Sequence, residues 1–247
     1  CIRDRIYIGV VGPVRTGKST FIKRFMDVAV LPYMEDAAQK TRAQDELPQS
    51  AGGRTITTTE PKFIPQEAVE LKLAGEVTIR VRLVDCVGFM VEGAAGHLED
   101  GAERLVKTPW YDHEIPFTQA AELGTRKVIT DHSTIGVVVT TDGSFSDLPQ
   151  ETYLDAENQA ISELKKLHKP FLVLVNSSHP SSRTAREAAE RIEKQHSVAA
   201  MPVNCAQLSE EDIRQIMEQI LYEFPVSRVE FYMPKWVEML PLSHSLK

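Results

Sequence analysis

Eight residues near the start of the chain, Gly12-Pro13-Val14-Arg15-Thr16-Gly17-Lys18-Ser19, restrict the fold more than any other stretch. Two glycines with four residues between them, followed by Lys and Ser, make the pattern of a phosphate-binding loop. The apolar run Ile6-Tyr7-Ile8-Gly9-Val10-Val11 leads into it, and a helical pattern over residues 20–28 leads out. That strand–loop–helix context separates it from an ordinary glycine turn. Glycines let the backbone turn so that several N–H groups face one phosphate. The N-terminus of the next helix adds positive potential. Lys18 is placed to reach the outer phosphates and the Ser19 hydroxyl to ligate Mg²⁺. Gly12, Arg15, Thr16, Gly17 and Thr20 complete the expected nucleotide-binding set.

Beyond the loop, the pattern predicts an α/β fold. Residues 35–47 can form a charged helix, 49–54 read as a loop, and the threonine-rich run 55–59 is either a strand or a polar loop ahead of Pro61. Val69, Leu71 and Leu73 alternate with Glu70 and Lys72, and Val77, Ile79, Val81 and Leu83 alternate with Thr78, Arg80 and Arg82; with Ala74-Gly75-Glu76 between them they predict a β-hairpin. Residues 89–112 lack periodicity and hold Gly93, Gly96 and Gly101, which predicts a long functional or mobile loop. Helices are then predicted over 117–131, 150–167, 181–195 and 209–224, and buried strands over 134–141, 170–175 and 198–203. Ala156, Ala160, Ile161, Leu164 and Leu167 make one helix face apolar, and Ser209 with Asp212 makes a capping box. Strands alternating with helices predict a P-loop nucleotide-hydrolase fold, with a mostly parallel central sheet and helices on both faces. The expected domain is residues 1–225, with 226–247 opening a following domain or a linker.

A phosphate loop needs a carboxylate opposite it to hold a metal shell. Asp85 ends an apolar strand, and Gly88 follows at the Asp-x-x-Gly spacing. The carboxylate then serves the metal side, and the Gly88 N–H senses the last phosphate. Thr58 and Thr59, between the two motifs, are candidates to reach the metal and that same phosphate, against the alternative of an exposed polar loop. Lys18, Asp85, Thr58 and Thr59 are the expected catalytic set; Ser19, Thr59 and Asp85 are the expected metal ligands. Arg15 can lend charge to a transition state, or it is solvated or pairs with a carboxylate.

The base-reading end departs from a GTPase. A guanine site of this plan carries Asn-Lys-x-Asp, whereas the strand here runs into Asn176-Ser177-Ser178-His179. Asn176 is retained as a nucleotide contact, but neutral His179 cannot offer two acceptor oxygens to guanine. Adenine is therefore the expected base and ATP the expected nucleotide. Phe89 follows Gly88 where many GTPases place a water-orienting Gln, so turnover needs another group or is slow.

Composition narrows the partners. The 247 residues are 42% hydrophobic, enough for a substantial core. A net charge of −7 disfavours nonspecific binding to nucleic acid. No apolar run reaches membrane-spanning length. Cys1, Cys86 and Cys205 lack metal spacing and are expected to be reduced thiols of a cytoplasmic protein. Because the chain begins with Cys rather than Met, its natural N-terminus is expected to be missing.

The chain also resembles a known family. The loop with Thr20-Phe21-Ile22-Lys23, the block Arg42-Ala43-Gln44-Asp45-Glu46-Leu47-Pro48-Gln49-Ser50, and Thr58-Thr59-Glu60-Pro61-Lys62-Phe63 resemble the N-terminal ATPase domain of the stage IV sporulation protein A family. So do Leu83-Val84-Asp85-Cys86-Val87-Gly88, Thr108-Pro109-Trp110-Tyr111, Gly124-Thr125-Arg126-Lys127-Val128-Ile129, His132-Ser133-Thr134-Ile135-Gly136-Val137-Val138 and Thr140-Thr141-Asp142-Gly143. The resemblance implies a P-loop protein of the translation-factor-related class that uses ATP and Mg²⁺. It implies that hydrolysis drives self-assembly into a polymer, the basement layer of the bacterial spore coat. It places that layer in the mother-cell cytoplasm at the outer forespore surface, with a small amphipathic membrane-anchoring peptide and other coat proteins as partners. Carried over, Lys18 is the phosphate-loop lysine, Asp85 the metal-side aspartate, and Thr58 and Thr59 the phosphate-sensing threonines. Three functions remain open at this point: an ATPase driving assembly, a GTPase-like switch with relaxed base specificity, and a structural coat protein that binds nucleotide with little turnover.

Overall fold

β1 (Arg5–Val11) lies inside the sheet, and its alternation shows why: Ile8 and Val10 enter one core while Val11 enters another. The computed structural model describes residues 5–34, 36–48, 60–72, 78–94, 98–99, 102–146 and 148–224. The phosphate-loop residues follow β1 and lead into α1 (Lys18–Phe25), which continues as a π-helical turn, Met26–Val30. α2 (Ala37–Asp45) is capped by the Asp36 carboxylate, which accepts from the Ala38 and Gln39 N–H groups.

β2 (Lys62–Lys72) and β3 (Thr78–Asp85) pair antiparallel, as their alternation predicts. β2 begins earlier than the alternation does, and its register shifts between Ile64 and Val69, around Pro65. A proline has no N–H for a ladder, so it fits this edge strand at an irregularity. The Ala74-Gly75-Glu76 turn and the loop expected over 49–54 lie outside the described residues.

Residues 89–112 differ from the loop expected of them. They hold β4 (Leu98–Glu99), β5 (Ala102–Glu103) and β6 (Leu105–Thr108), and β7 (Tyr111–Pro116) follows. These form two antiparallel ribbons, β4–β5 and β6–β7, apart from the main sheet. In the second ribbon only Thr108 and Ile115 are buried, so the hydrophobic alternation that announces a strand is missing.

α3 (Phe117–Lys127) is shorter than the single helix expected over 117–131; the last residues of that span form a π-helical turn, Val128–His132. β8 (Ile135–Thr141), α4 (Leu154–Lys166), β9 (Phe171–Asn176), α5 (Arg183–His196), β10 (Ala200–Val203) and α6 (Glu210–Tyr222) follow the predicted order with small shifts at their ends. The capping box of Ser209 and Asp212 is formed. Leu167, placed by periodicity on the apolar face, lies past the end of α4 and is exposed.

The sheet order is β10-β9-β8-β1-β3-β2. Only β2 runs antiparallel to its neighbour. Phe21, Ile22 and Phe25 of α1 and Ile213, Ile216 and Met217 of α6 fill the core on one face. Ala160, Ile161 and Leu164 of α4, with Ala188, Ala189 and Ile192 of α5, fill the other. Parallel strands end on one side, so the segments after β1, β3, β8 and β9 converge there, where ligands of such sheets bind. Among the described residues no helix is long and apolar enough to cross a membrane. The expected boundary at 225 and the stretch 226–247 lie outside the described residues.

Lys169, between α4 and β9, fastens the end of α3. Its ammonium donates to the carbonyls of Ile129 at 2.5 Å, Thr130 at 3.0 Å and Ser133 at 2.6 Å. Lys169→Met keeps the stem and removes all three donors. It is expected to lower stability by about 1–2 kcal/mol, seen as a lower urea midpoint at unchanged slope. An unchanged midpoint would mean that water serves these carbonyls equally well.

Candidate functional site

The loop between β1 and α1 takes its shape from distant strands as well as from its own glycines. Thr16 is fully buried; its hydroxyl donates to the Val139 carbonyl of β8 at 2.6 Å and lies 3.0 Å from the Pro13 carbonyl. Gly17 has φ +96° at the start of α1, and a Cβ there would collide with the Asn176 side-chain amide. That amide has its own work: Asn176 Nδ2 donates to the Thr16 carbonyl at 3.0 Å, and Oδ1 accepts the Cys205 N–H at 3.0 Å. Asn176 thus ties the loop to β9 and to the turn after β10. Arg15 is partly exposed with φ +63°, and Thr20, in the first turn of α1, is partly exposed.

The end of β3 closes the other side. Phe89 N–H donates to the Gly12 carbonyl at 3.0 Å, and Val14 N–H donates to the Phe89 carbonyl at 2.9 Å. The Phe89 ring is in the core, so this residue clamps the loop through its backbone and has no polar side chain to turn toward water. Gly88 has φ +101°, and a Cβ there would overlap the Gly12 carbonyl oxygen and Lys18 Nζ. Only glycine permits that approach. The Gly88 N–H donates to Thr125 Oγ1 at 3.0 Å.

Lys18 is only 5% exposed, and its Nζ donates to the Pro13 carbonyl at 2.5 Å. Ser19 Oγ donates to Asp85 Oδ2 at 3.1 Å. Asp85 Oδ1 is buried and has no hydrogen-bond partner among the described residues. Burial pushes the Lys18 ammonium below its ordinary pKa, opposed by the negative charges that Cys86 and Asp85 carry when ionised. Burial pushes the Asp85 carboxyl up, opposed first by the Lys18 charge and then by the Ser19 hydroxyl. Cys86 and Cys205 are free and buried; burial raises their thiols to about 11 and about 12. Such thiols stay protonated and unreactive at neutral pH. Cys1 lies outside the described residues.

The donor set can be tested against the expected metal. A serine hydroxyl and a carboxylate with one oxygen free are hard ligands. Mg²⁺ uses one or two carboxylates with substrate phosphates and waters rather than an all-protein cage. Among the described residues no group of three or more His, Cys, Asp or Glu converges. Ser19 and Asp85 therefore fit an ion that arrives with phosphates, held from one side. Thr58 and Thr59 lie outside the described residues. At the base-reading end, Ser177 Oγ accepts the His179 N–H at 3.0 Å, and Ser178 N–H donates to Ser144 Oγ at 2.8 Å, so the segments after β8 and β9 are joined.

Two contacts could not be read from the sequence. Glu157 of α4 is buried, accepts from the Thr140 hydroxyl at 2.6 Å and pairs with Arg191 of α5 at 2.8 Å, bracing the end of β8 behind the loop. Thr125 of α3 meets Gly88. Charged and hydroxyl residues in predicted helices read as solvated until their partners are known.

Residues 2–225 match the family described as stage IV sporulation protein A, ATPase domain. Over 242 residues, 98% of the chain, the identity is 49% to stage IV sporulation protein A of Clostridioides difficile (strain 630). It is 46% to the proteins of the same name from Bacillus anthracis and Bacillus subtilis (strain 168). The chain spans about half, 49%, of the length of these relatives. Among solved structures, the SsGBP and GDP complex superposes with a TM-score of 0.50 at 12% identity, covering 90% of this chain and 52% of that one. A likeness at that identity speaks to the fold alone, and the fold is the P-loop α/β sheet expected from the sequence.

Proposed function

The chain belongs to the stage IV sporulation protein A ATPase-domain family, and from that premise we propose that it binds ATP with Mg²⁺ and hydrolyses it to ADP and phosphate. Turnover in the whole protein drives self-assembly into the basement layer of a bacterial spore coat. That layer lies in the mother-cell cytoplasm on the outer forespore surface, where a small amphipathic anchoring peptide and other coat proteins bind it. Residues 1–225 are the ATPase unit, and 226–247 open a linker or following domain. One observation carries the reading: Ser19 and Asp85 meet beside the 12–19 loop, with Asp85 Oδ1 left without a partner among the described residues.

Each residue then has a task. The loop N–H groups and Gly12, Arg15, Thr16, Gly17 and Thr20 enclose the phosphates. Lys18 gives up the Pro13 carbonyl for the outer phosphate oxygens, an exchange that its buried charge favours. Ser19, Asp85 and Thr59 are the ligands for Mg²⁺, which supplies positive charge to the phosphate oxygens when bound. Gly88, Thr58 and Thr59 recognise the last phosphate. Asn176 acts on the nucleotide by fixing Thr16 and the Cys205 turn. Phe89 cannot orient water, so isolated turnover is slow unless another group does so.

Nucleotide binding and phosphate release, measured with ATP and GTP in parallel and with Mg²⁺ or EDTA, test this. ATP is expected to bind about tenfold or more tightly than GTP, because no carboxylate stands at the guanine-reading spacing. Release is expected to stop in EDTA. Equal or tighter GTP binding would overturn the choice of base, and EDTA-resistant release would overturn the metal role.

A further inference from the structure

Gly88 has one backbone N–H, and a side chain from another element holds it. Thr125 lies in the last turns of α3, fully buried. Its hydroxyl donates to the Ala121 carbonyl at 2.8 Å, which turns a lone pair toward Gly88, and that lone pair accepts the Gly88 N–H at 3.0 Å. If the chain binds ATP as proposed, this same N–H faces the last phosphate, and the role of Thr125 rests on that proposal. One N–H proton makes one strong hydrogen bond at a time. Serving a phosphate oxygen therefore means leaving Thr125.

We infer that Thr125 is a positioning residue that sets the preference between nucleoside triphosphate and diphosphate, by holding the Gly88 N–H whenever no last phosphate claims it. With a triphosphate, the N–H moves to a charged acceptor, and Thr125 keeps its own bond to Ala121. With a diphosphate, the N–H returns to Thr125 and is not left buried and unpaired. Thr125 thus stabilises the diphosphate form selectively and moderates the preference for triphosphate. Burial makes the exchange stringent, since solvent does not reach Thr125 to take over from the lost partner. α3 is the element that feels the exchange first. Lys169 and Ser133 fasten the turn at its C-terminal end, because the Ser133 hydroxyl donates to the Ile129 carbonyl at 3.3 Å.

The test is equilibrium binding of ADP and of β,γ-imido-ATP to the 247-residue chain and to Thr125→Val and Thr125→Ser. Valine keeps the shape and removes the acceptor, so the imido-ATP over ADP affinity ratio is expected to rise by about three- to tenfold, the worth of one hydrogen bond. Serine restores the acceptor and is expected to return the ratio to that of the unsubstituted chain. A purely structural defect would weaken both nucleotides together and leave the ratio in place. A Thr125→Val ratio within about twofold of the unsubstituted chain overturns the inference. The Gly88 amide resonance of the unsubstituted chain gives a second reading that needs no variant, and it decides if Thr125→Val does not fold. It is expected to differ between ADP and imido-ATP, and identical resonances would overturn the inference. Lys18→Ala separates the two levels. If it binds both nucleotides as the unsubstituted chain does, the phosphate-loop reading fails and this inference with it. If it binds both weakly while the Thr125→Val ratio stays put, only the inference fails.

Discussion

Lys18→Ala is expected to lower kcat/KM for ATP hydrolysis by about 10²- to 10³-fold and to weaken nucleotide binding as well, because a charged donor to the phosphates is lost both before and during reaction. The ammonium is buried against the loop, in the field of Asp85 and with the Pro13 carbonyl as its protein acceptor. An ammonium held in such a place interacts with phosphate oxygens at low effective dielectric, where a charge is worth most. The measurement is steady-state phosphate release together with nucleotide titration. Binding at the unsubstituted affinity, with only hydrolysis lost, would confine Lys18 to the transition state. Neither lost would remove it from the site.

Asp85→Asn is expected to act on the metal and not on the nucleotide. The Mg²⁺ concentration for half-maximal hydrolysis should rise by about 10- to 100-fold, the usual range when a group that orients or ligates a metal is removed. The amide keeps the carboxyl's shape and can still accept from Ser19, so the loop is not left with a cavity. Burial raises the Asp85 pKa in the folded chain, so its ionisation destabilises the fold. By linkage, the stability tied to this group is fully present below the ordinary carboxylate range and is lost as pH rises through the raised folded value. Asp85→Asn removes this titration, so the fall in stability with rising pH that is tied to this group is expected to be absent from the variant's unfolding curves. A slower enzyme with an unchanged Mg²⁺ dependence would take Asp85 out of the metal shell.

The readable part of this protein was local. Gly12 to Ser19 carries its chemistry in adjacent residues, and its strand and helix announce themselves by apolar period. The end of β3 at Asp85 and the turn at Gly88 were legible for the same reason, as was the order of the main-sheet strands and the helices that cover them. The ribbon of β6 and β7 was not legible, because its faces are mostly solvated and leave no alternation to read. Tertiary structure alone decided who holds whom at the site. Asn176 meets Thr16 across 160 positions of chain, Thr16 meets Val139 across 123, and Gly88 meets Thr125 across 37. Such partners share no period and no motif. A hydrogen bond acts over about 3 Å of space and is indifferent to the length of chain between its ends. Adjacent residues thus carried the kind of loop and the sheet behind it. Only folding could decide that Asn176 spends its amide on the protein, that Phe89 clamps the loop through its backbone, and that the Gly88 N–H already has a partner in α3.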